Sequence, residues 1–217
     1  MKTLAILVAL LPSLAYAQGA YPPPPPEYPP PPPGASRYRP EAARSPWYIG
    51  FGVGAGDGSV AGQGQRLNLS DLGGGGRLGF NFKVGATLTP QLLLGFDLLS
   101  LSSFGSQVDQ FGNGYDSTAT ILDTDVMLTF FPWERGFFVR GGVGPTFLTF
   151  DTRSPGFHDS VSYAGFNGDV GAGYAFWLGQ RFNFTVNADF AAQTYGSSST
   201  APESSRFFLV WLGFDWY

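Results

Sequence analysis

Few residues in this sequence could do chemistry, and most of them recur on one side of an alternating pattern. Lys83, Asp97, Asp123, Asp125, Arg140, Asp169, Asp189 and Asp215 each have at least one apolar neighbour, in stretches where roughly every second residue is apolar. Lys83 and Asp97 are equidistant from Pro90, which predicts that they face each other across a tight hairpin. Arg140 is predicted to lie near Asp125 on one side and Asp169 on the other. Asp169 and Asp189 are equidistant from Gly179 and are predicted to face each other. Three kinds of chemistry suit such a set. Buried charges need partners, so a salt-bridged network is one. A path favouring cations is another, because the carboxylates outnumber Lys83 and Arg140. Paired carboxylates also perform glycoside hydrolysis.

Other candidates are weaker. His158 is the only histidine, in Phe157-His158-Asp159-Ser160, which is predicted to be an exposed loop. A base beside a nucleophile would suit covalent catalysis, but here the polar residues are merely consecutive. Gly52-x-Gly54-x-Gly56 resembles a fragment of a nucleotide loop, yet no helix follows to hold a phosphate. Asp109, Asn113 and Asp116 lack the closing glutamate that a calcium loop requires. There is no cysteine, which excludes disulfide and thiol chemistry. The net charge is −4, so there is no basic field for nucleic acid. No catalytic residue, cofactor or metal is predicted.

The elements that carry these residues have a period of two. Leu78, Phe80, Phe82, Val84, Ala86 and Leu88 alternate with Gly79, Asn81, Lys83, Gly85 and Thr87. Phe182, Phe184, Val186, Ala188, Phe190 and Ala192 alternate with Asn183, Thr185, Asn187, Asp189 and Gln193. Such alternation makes a β-strand with one apolar and one polar face. Six further segments fit: 47–55, 92–101, 121–131, 137–150, 164–176 and 206–217. Pro145 cannot donate to a ladder, so a bulge is predicted there. Short connections at 89–91, 132–136 and 178–181 alternate with long ones at 57–76, 103–117, 152–162 and 196–205.

The surroundings of these strands follow from composition. Charged residues are 13% of the chain and aromatics 17%, where a soluble domain has about 25% charged residues. Much of the surface is therefore expected to face something other than water. Residues 1–17 read as a secretory signal peptide: Lys2, an apolar run from Leu4 to Leu11, and cleavage after Ala15-Tyr16-Ala17. Residues 18–45 are a Pro-rich, disordered periplasmic linker of polyproline II character. No later apolar run could span a membrane as a helix, so residues 46–217 can do so only as a closed barrel. Short turns at one end and long loops at the other suit that arrangement. Trp47, Trp133, Trp177 and Trp216 all fall at the short-turn end, as expected of a periplasmic aromatic girdle.

Residues 46–217 resemble the small outer-membrane β-barrel families, the OmpA-like and OmpW-like proteins. The resemblance rests on Trp47-Tyr48-Ile49-Gly50-Phe51-Gly52-Val53-Gly54 and on Gly213-Phe214-Asp215-Trp216, which matches the families' C-terminal assembly signal, followed here by Tyr217. It implies an all-β, eight-stranded, antiparallel, up-and-down transmembrane barrel in the cell outer membrane. It also implies contact with the outer-membrane assembly machinery and with lipid, including lipopolysaccharide. A barrel of this size is filled by its own side chains, which favours the salt-bridged network and leaves no room for a sugar chain. The expected role is structural or surface-interacting, with the Pro-rich arm reaching towards the cell wall. A narrow porin-like channel or small-solute carrier is the alternative, and a lipid A-modifying enzyme a distant one.

Overall fold

The structure is a computed structural model describing residues 44–71, 74–108, 114–154, 156–196 and 202–217. The predicted signal peptide, nearly all of the Pro-rich linker, and Asp109 and Asn113 lie outside the described residues. Nine strands follow in order: β1 Trp47–Gly62, β2 Gln65–Asn68, β3 Gly74–Thr89, β4 Leu92–Val108, β5 Gly114–Phe130, β6 Gly136–Ser154, β7 Phe157–Trp177, β8 Phe182–Tyr195 and β9 Ser204–Trp216. Successive barrel strands pair antiparallel, and β1 also pairs with β9, from Ile49↔Trp216 to Ala61↔Ser204. That pairing closes β1 and β3–β9 into an eight-stranded barrel. Closure satisfies the backbone groups that an open edge would leave bare in lipid.

The predicted outward residues are the exposed ones. Ile49, Phe51, Val53, Phe80, Val84, Phe96, Val126, Val139, Val170, Phe190, Val210 and Leu212 all stand on the outside. An apolar surface this continuous does not persist in water. It forms a belt around the barrel strands.

The long loops are mostly not loops. β4–β7 run 17, 17, 19 and 21 residues, where about 10 cross a bilayer. The β6–β7 ladder continues to Ser154↔Phe157, and β4–β5 to Val108↔Gly114. These extensions are rich in Ser, Thr, Gly and Asp, so apolar alternation vanishes while the backbone ladder goes on. β1 likewise runs on to Gly62 and turns back into β2 through Gln63 and Gly64, both left-handed (φ 54° and 72°). Two positive φ angles in a two-residue hairpin match the twist of its strands.

Pro145 causes no bulge. β6–β7 pairs it with Phe166 without a break, and β5–β6 keeps one register from Asp123↔Thr146 to Val126↔Val143. The missing donor costs local pairing, not an extra residue. The register shifts lie in β3–β4 instead, at Gly74/Arg77 and Thr87/Thr89.

The interior is not polar throughout. Tyr48, Leu93, Phe131, Phe138, Ala175 and Tyr217 form an apolar cluster at the short-turn end. A larger one, including Val60, Leu69, Leu99, Leu101, Ile121, Leu148, Phe207, Leu209 and Trp211, lies towards the other end. The charged residues sit largely between the two.

Candidate functional site

All eight predicted charged positions lie inside the barrel, none more than 7% exposed. Lys83 does stand opposite Asp97 in the β3–β4 register. Its ammonium, however, pairs with Asp215 at 2.9 Å. Asp97 is taken by Arg140, whose Nη1 donates to it at 2.7 Å while Nε donates to Asp189 at 2.7 Å. Arg140 thus ties β6 to β4 and β8 across the interior; Asp169 does lie beside it, diagonally across the β6–β7 ladder, but neither Asp169 nor Asp125 is hydrogen-bonded to it. Its cross-strand partners are Thr129 and Gly171.

Asp169 and Asp189 do not face each other either: Asp169 pairs with Ala191, and Asp189 with Gly171. The β7–β8 turn is centred one residue beyond Gly179, and a one-residue error in a turn centre moves a pairing by two. Asp123 sits higher in the barrel. It accepts from Thr146 Oγ1 and from Gln193 Nε2, the latter at 2.7 Å. Gln193 Oε1 accepts from Ser205, which in turn bonds Tyr195. Asp125 and Asp169 are buried without a hydrogen bond of ordinary geometry among the described residues.

The residue that sequence reasoning missed is Trp211. It is buried inside the barrel with its ring amid the charges. Its Nε1 donates to Asp189, and Lys83 Nζ and Arg140 Cζ each lie 5.2 Å from its ring centroid. Cations over an indole face are attracted by its quadrupole. Gly52 of β1 and Gly213 of β9 make the space, since a Cβ at either would collide with the indole. The signal was present. Phe208, Val210 and Leu212 point out, so Trp211 between them points in.

The same parity corrects the girdle. Trp47, Trp133 and Trp216 are exposed, at 55%, 73% and 59%. Trp177 follows the outward Phe176 and therefore turns inward, stacking on Tyr217 at 5.6 Å. Tyr217, which follows the outward Trp216, is buried at the barrel mouth. Its N–H donates to Arg181 O at 2.9 Å and its ring lies 5.9 Å from Tyr48. The Arg44 guanidinium sits 3.7 Å over Phe131 and donates to Pro90 O. Of the C-terminal motif, Phe214 faces outward among Phe51, Phe182 and Phe184. Gly213 and Asp215 face inward.

His158 is on β7, not in a loop. It stands on the outward face opposite Arg153, with Nε2 3.5 Å from Asp151. Ser160 lies in the next row on the same face, opposite Asp151. His158 therefore contacts a carboxylate on the outer wall.

A family model for the outer membrane protein beta-barrel domain matches residues 6–205. No curated protein sequence matches the chain. Among solved structures, Ail, the attachment invasion locus protein of Yersinia pestis, is similar in its complex with the heparin analogue sucrose octasulfate (12% identity, TM-score 0.54). Ail alone is also similar (11% identity, TM-score 0.51); each alignment covers 79% of this chain and 100% of the other. Neisserial surface protein A follows at 9% identity and TM-score 0.48, covering 79% and 97%. At such identities the likeness concerns the fold. A closed barrel belted with apolar side chains, together with the family match over most of its length, places this chain in the outer membrane as a member of the outer membrane protein β-barrel domain family.

Proposed function

We propose that this protein is a sealed, non-catalytic barrel with a structural or surface-interaction role, which holds the tall β4–β7 sheet out from the outer membrane. The observation that carries this reading is the interior. Charged side chains bound to one another are enclosed between two apolar clusters. A channel or carrier would need that stack to part. A lipid A-modifying enzyme would need a nucleophile hydrogen-bonded to a base, and the contact that His158 makes is with a carboxylate, Asp151. The partners that fit are the lipopolysaccharide around the barrel, the assembly machinery reading Gly213, Phe214, Trp216 and Tyr217, and the cell wall for the Pro-rich arm. The complex of Ail with a heparin analogue supports looking for sugars at the exterior.

Display at the cell surface is tested by labelling. The chain has no cysteine, so single replacements report cleanly. Ser160→Cys, on exposed β7, should react with a membrane-impermeant maleimide on intact cells. Gly179→Cys, in an open short turn, should react only after the outer membrane is permeabilised. Reaction of Gly179→Cys on intact cells would reverse the orientation and end this reading.

A further inference from the structure

The outward wall of β4–β7 changes character in rows. Leu122 and Phe147 stand side by side in the last apolar row. The next row is Ser102, Thr120, Thr149 and Ser162. Ser102 bonds Thr120 at 3.0 Å and Thr149 bonds Ser162 at 2.9 Å. Above it come Phe104, Thr118, Asp151 and Ser160, then Ser106, Asp116, Arg153 and His158. Alternate residues share a face, so all three rows point to the side that meets lipid lower down.

A cleft of about 450 Å³ opens among Phe104, Ser106, Asp116, Thr118, Asp151 and Arg153. Phe104 is 44% exposed there, far above its apolar belt. Rows are ~7 Å apart along tilted strands, which puts the cleft roughly 10–15 Å beyond the hydrocarbon. These six side chains stand on the outward face, the side turned along the membrane plane. An occupant borne by the membrane suits that face. At that height the outer leaflet presents sugars.

The chemistry agrees. Carboxylates accept paired hydroxyl protons, a guanidinium donates to ring and hydroxyl oxygens, and an exposed ring takes the C–H face of a sugar. Asp116 and Asp151 flank the single Arg153, so a phosphate or sulfate would meet net repulsion. We infer that this cleft binds neutral, hydroxyl-rich saccharide of the surrounding outer-leaflet glycolipid. Phe104 is the stacking platform, and Asp116, Asp151 and Arg153 are the hydrogen-bonding groups. The inference rests on the surface-interaction reading above and adds its site and ligand class.

The test uses the full mature protein. Dephosphorylated lipopolysaccharide core oligosaccharide is the probe in saturation-transfer NMR, with heparin as the polyanion arm. Wild type should transfer to the core sugar and not to heparin. Phe104→Ala and Asp151→Asn should bind roughly ten-fold more weakly while keeping the heat-modifiable gel shift of a folded barrel. In nanodiscs, full-core glycolipid should raise the unfolding temperature above that in lipid A alone, and Phe104→Ala should abolish the difference. Equal transfer from wild type and Phe104→Ala, preference for heparin, or no difference between the nanodiscs would overturn the assignment. A protein that binds the sugar yet conducts ions would instead refute the sealed barrel and leave this site standing.

Discussion

Replacing Arg140 by alanine is expected to destabilise the folded barrel by about 3–5 kcal/mol, because it leaves charged partners buried and alone. Arg140 is 5% exposed and is bonded at 2.7 Å to both Asp97 and Asp189. Neither carboxylate can turn to water, since apolar clusters lie above and below. The loss should appear as a lower midpoint for unfolding in urea and a lower temperature for the heat-modifiable gel shift. The cost comes from stranded charge and not from lost attraction. Arg140→Met combined with Asp97→Asn and Asp189→Asn should therefore recover most of it. A single Arg140→Ala variant with unchanged unfolding would refute the network.

Trp211→Ala should cost a similar amount, about 3–5 kcal/mol, by a different route. The indole is 1% exposed and fills the space beside Gly52 and Gly213. Its removal leaves a cavity inside a closed wall that cannot collapse, and takes a donor from Asp189 and a face from Lys83 and Arg140. Trp211→Phe should restore part of the packing but not the donor, and should fall between. If alanine and phenylalanine behave alike, or if neither changes unfolding, the indole is not the centre of the interior.

The parts legible in the sequence were those where lipid and interior demand different chemistry. Leu78–Leu88 and Phe182–Ala192 alternate cleanly because one side meets hydrocarbon and the other holds Lys83 or Asp189. Where the inward side is also apolar, as at Leu99, Leu101, Leu148 and Leu209, a period of two cannot separate the faces. The apolar seals were hidden for that reason. The extensions of β4–β7 were hidden for the opposite one: apolar residues such as Phe104, Phe150 and Val161 are too sparse there, among Ser, Thr and Asp, to alternate, and only backbone pairing continues. Pairings of the charges failed where the turn centre was misjudged. The β3–β4 register is centred on Pro90 below the irregularity at Thr87/Thr89, which places Lys83 opposite Asp97, whereas the β7–β8 centre lies at Gln180, one residue beyond Gly179. Even correct register does not name the ion pair. Lys83 and Arg140 have long side chains that reach past their nearest neighbours, to Asp215 and across to Asp97 and Asp189.

Trp177 and Tyr217 show that parity, applied strictly, outperforms expectation by residue type. Tryptophan favours the lipid–water boundary, yet Trp177 follows an outward Phe176 and must face the mouth. There it stacks with Tyr217 and lies within 5.8 Å of the Arg44 guanidinium. Aromatic rings and the guanidinium groups of Arg44 and Arg135 thus gather at the short-turn end.

Closure of the interior is the claim on which the rest depends. It is measured most directly by single-channel recording of purified wild-type protein in a planar bilayer, at both polarities and in concentrated salt. The sealed barrel predicts a flat baseline after confirmed insertion. Steady, reproducible openings would contradict it.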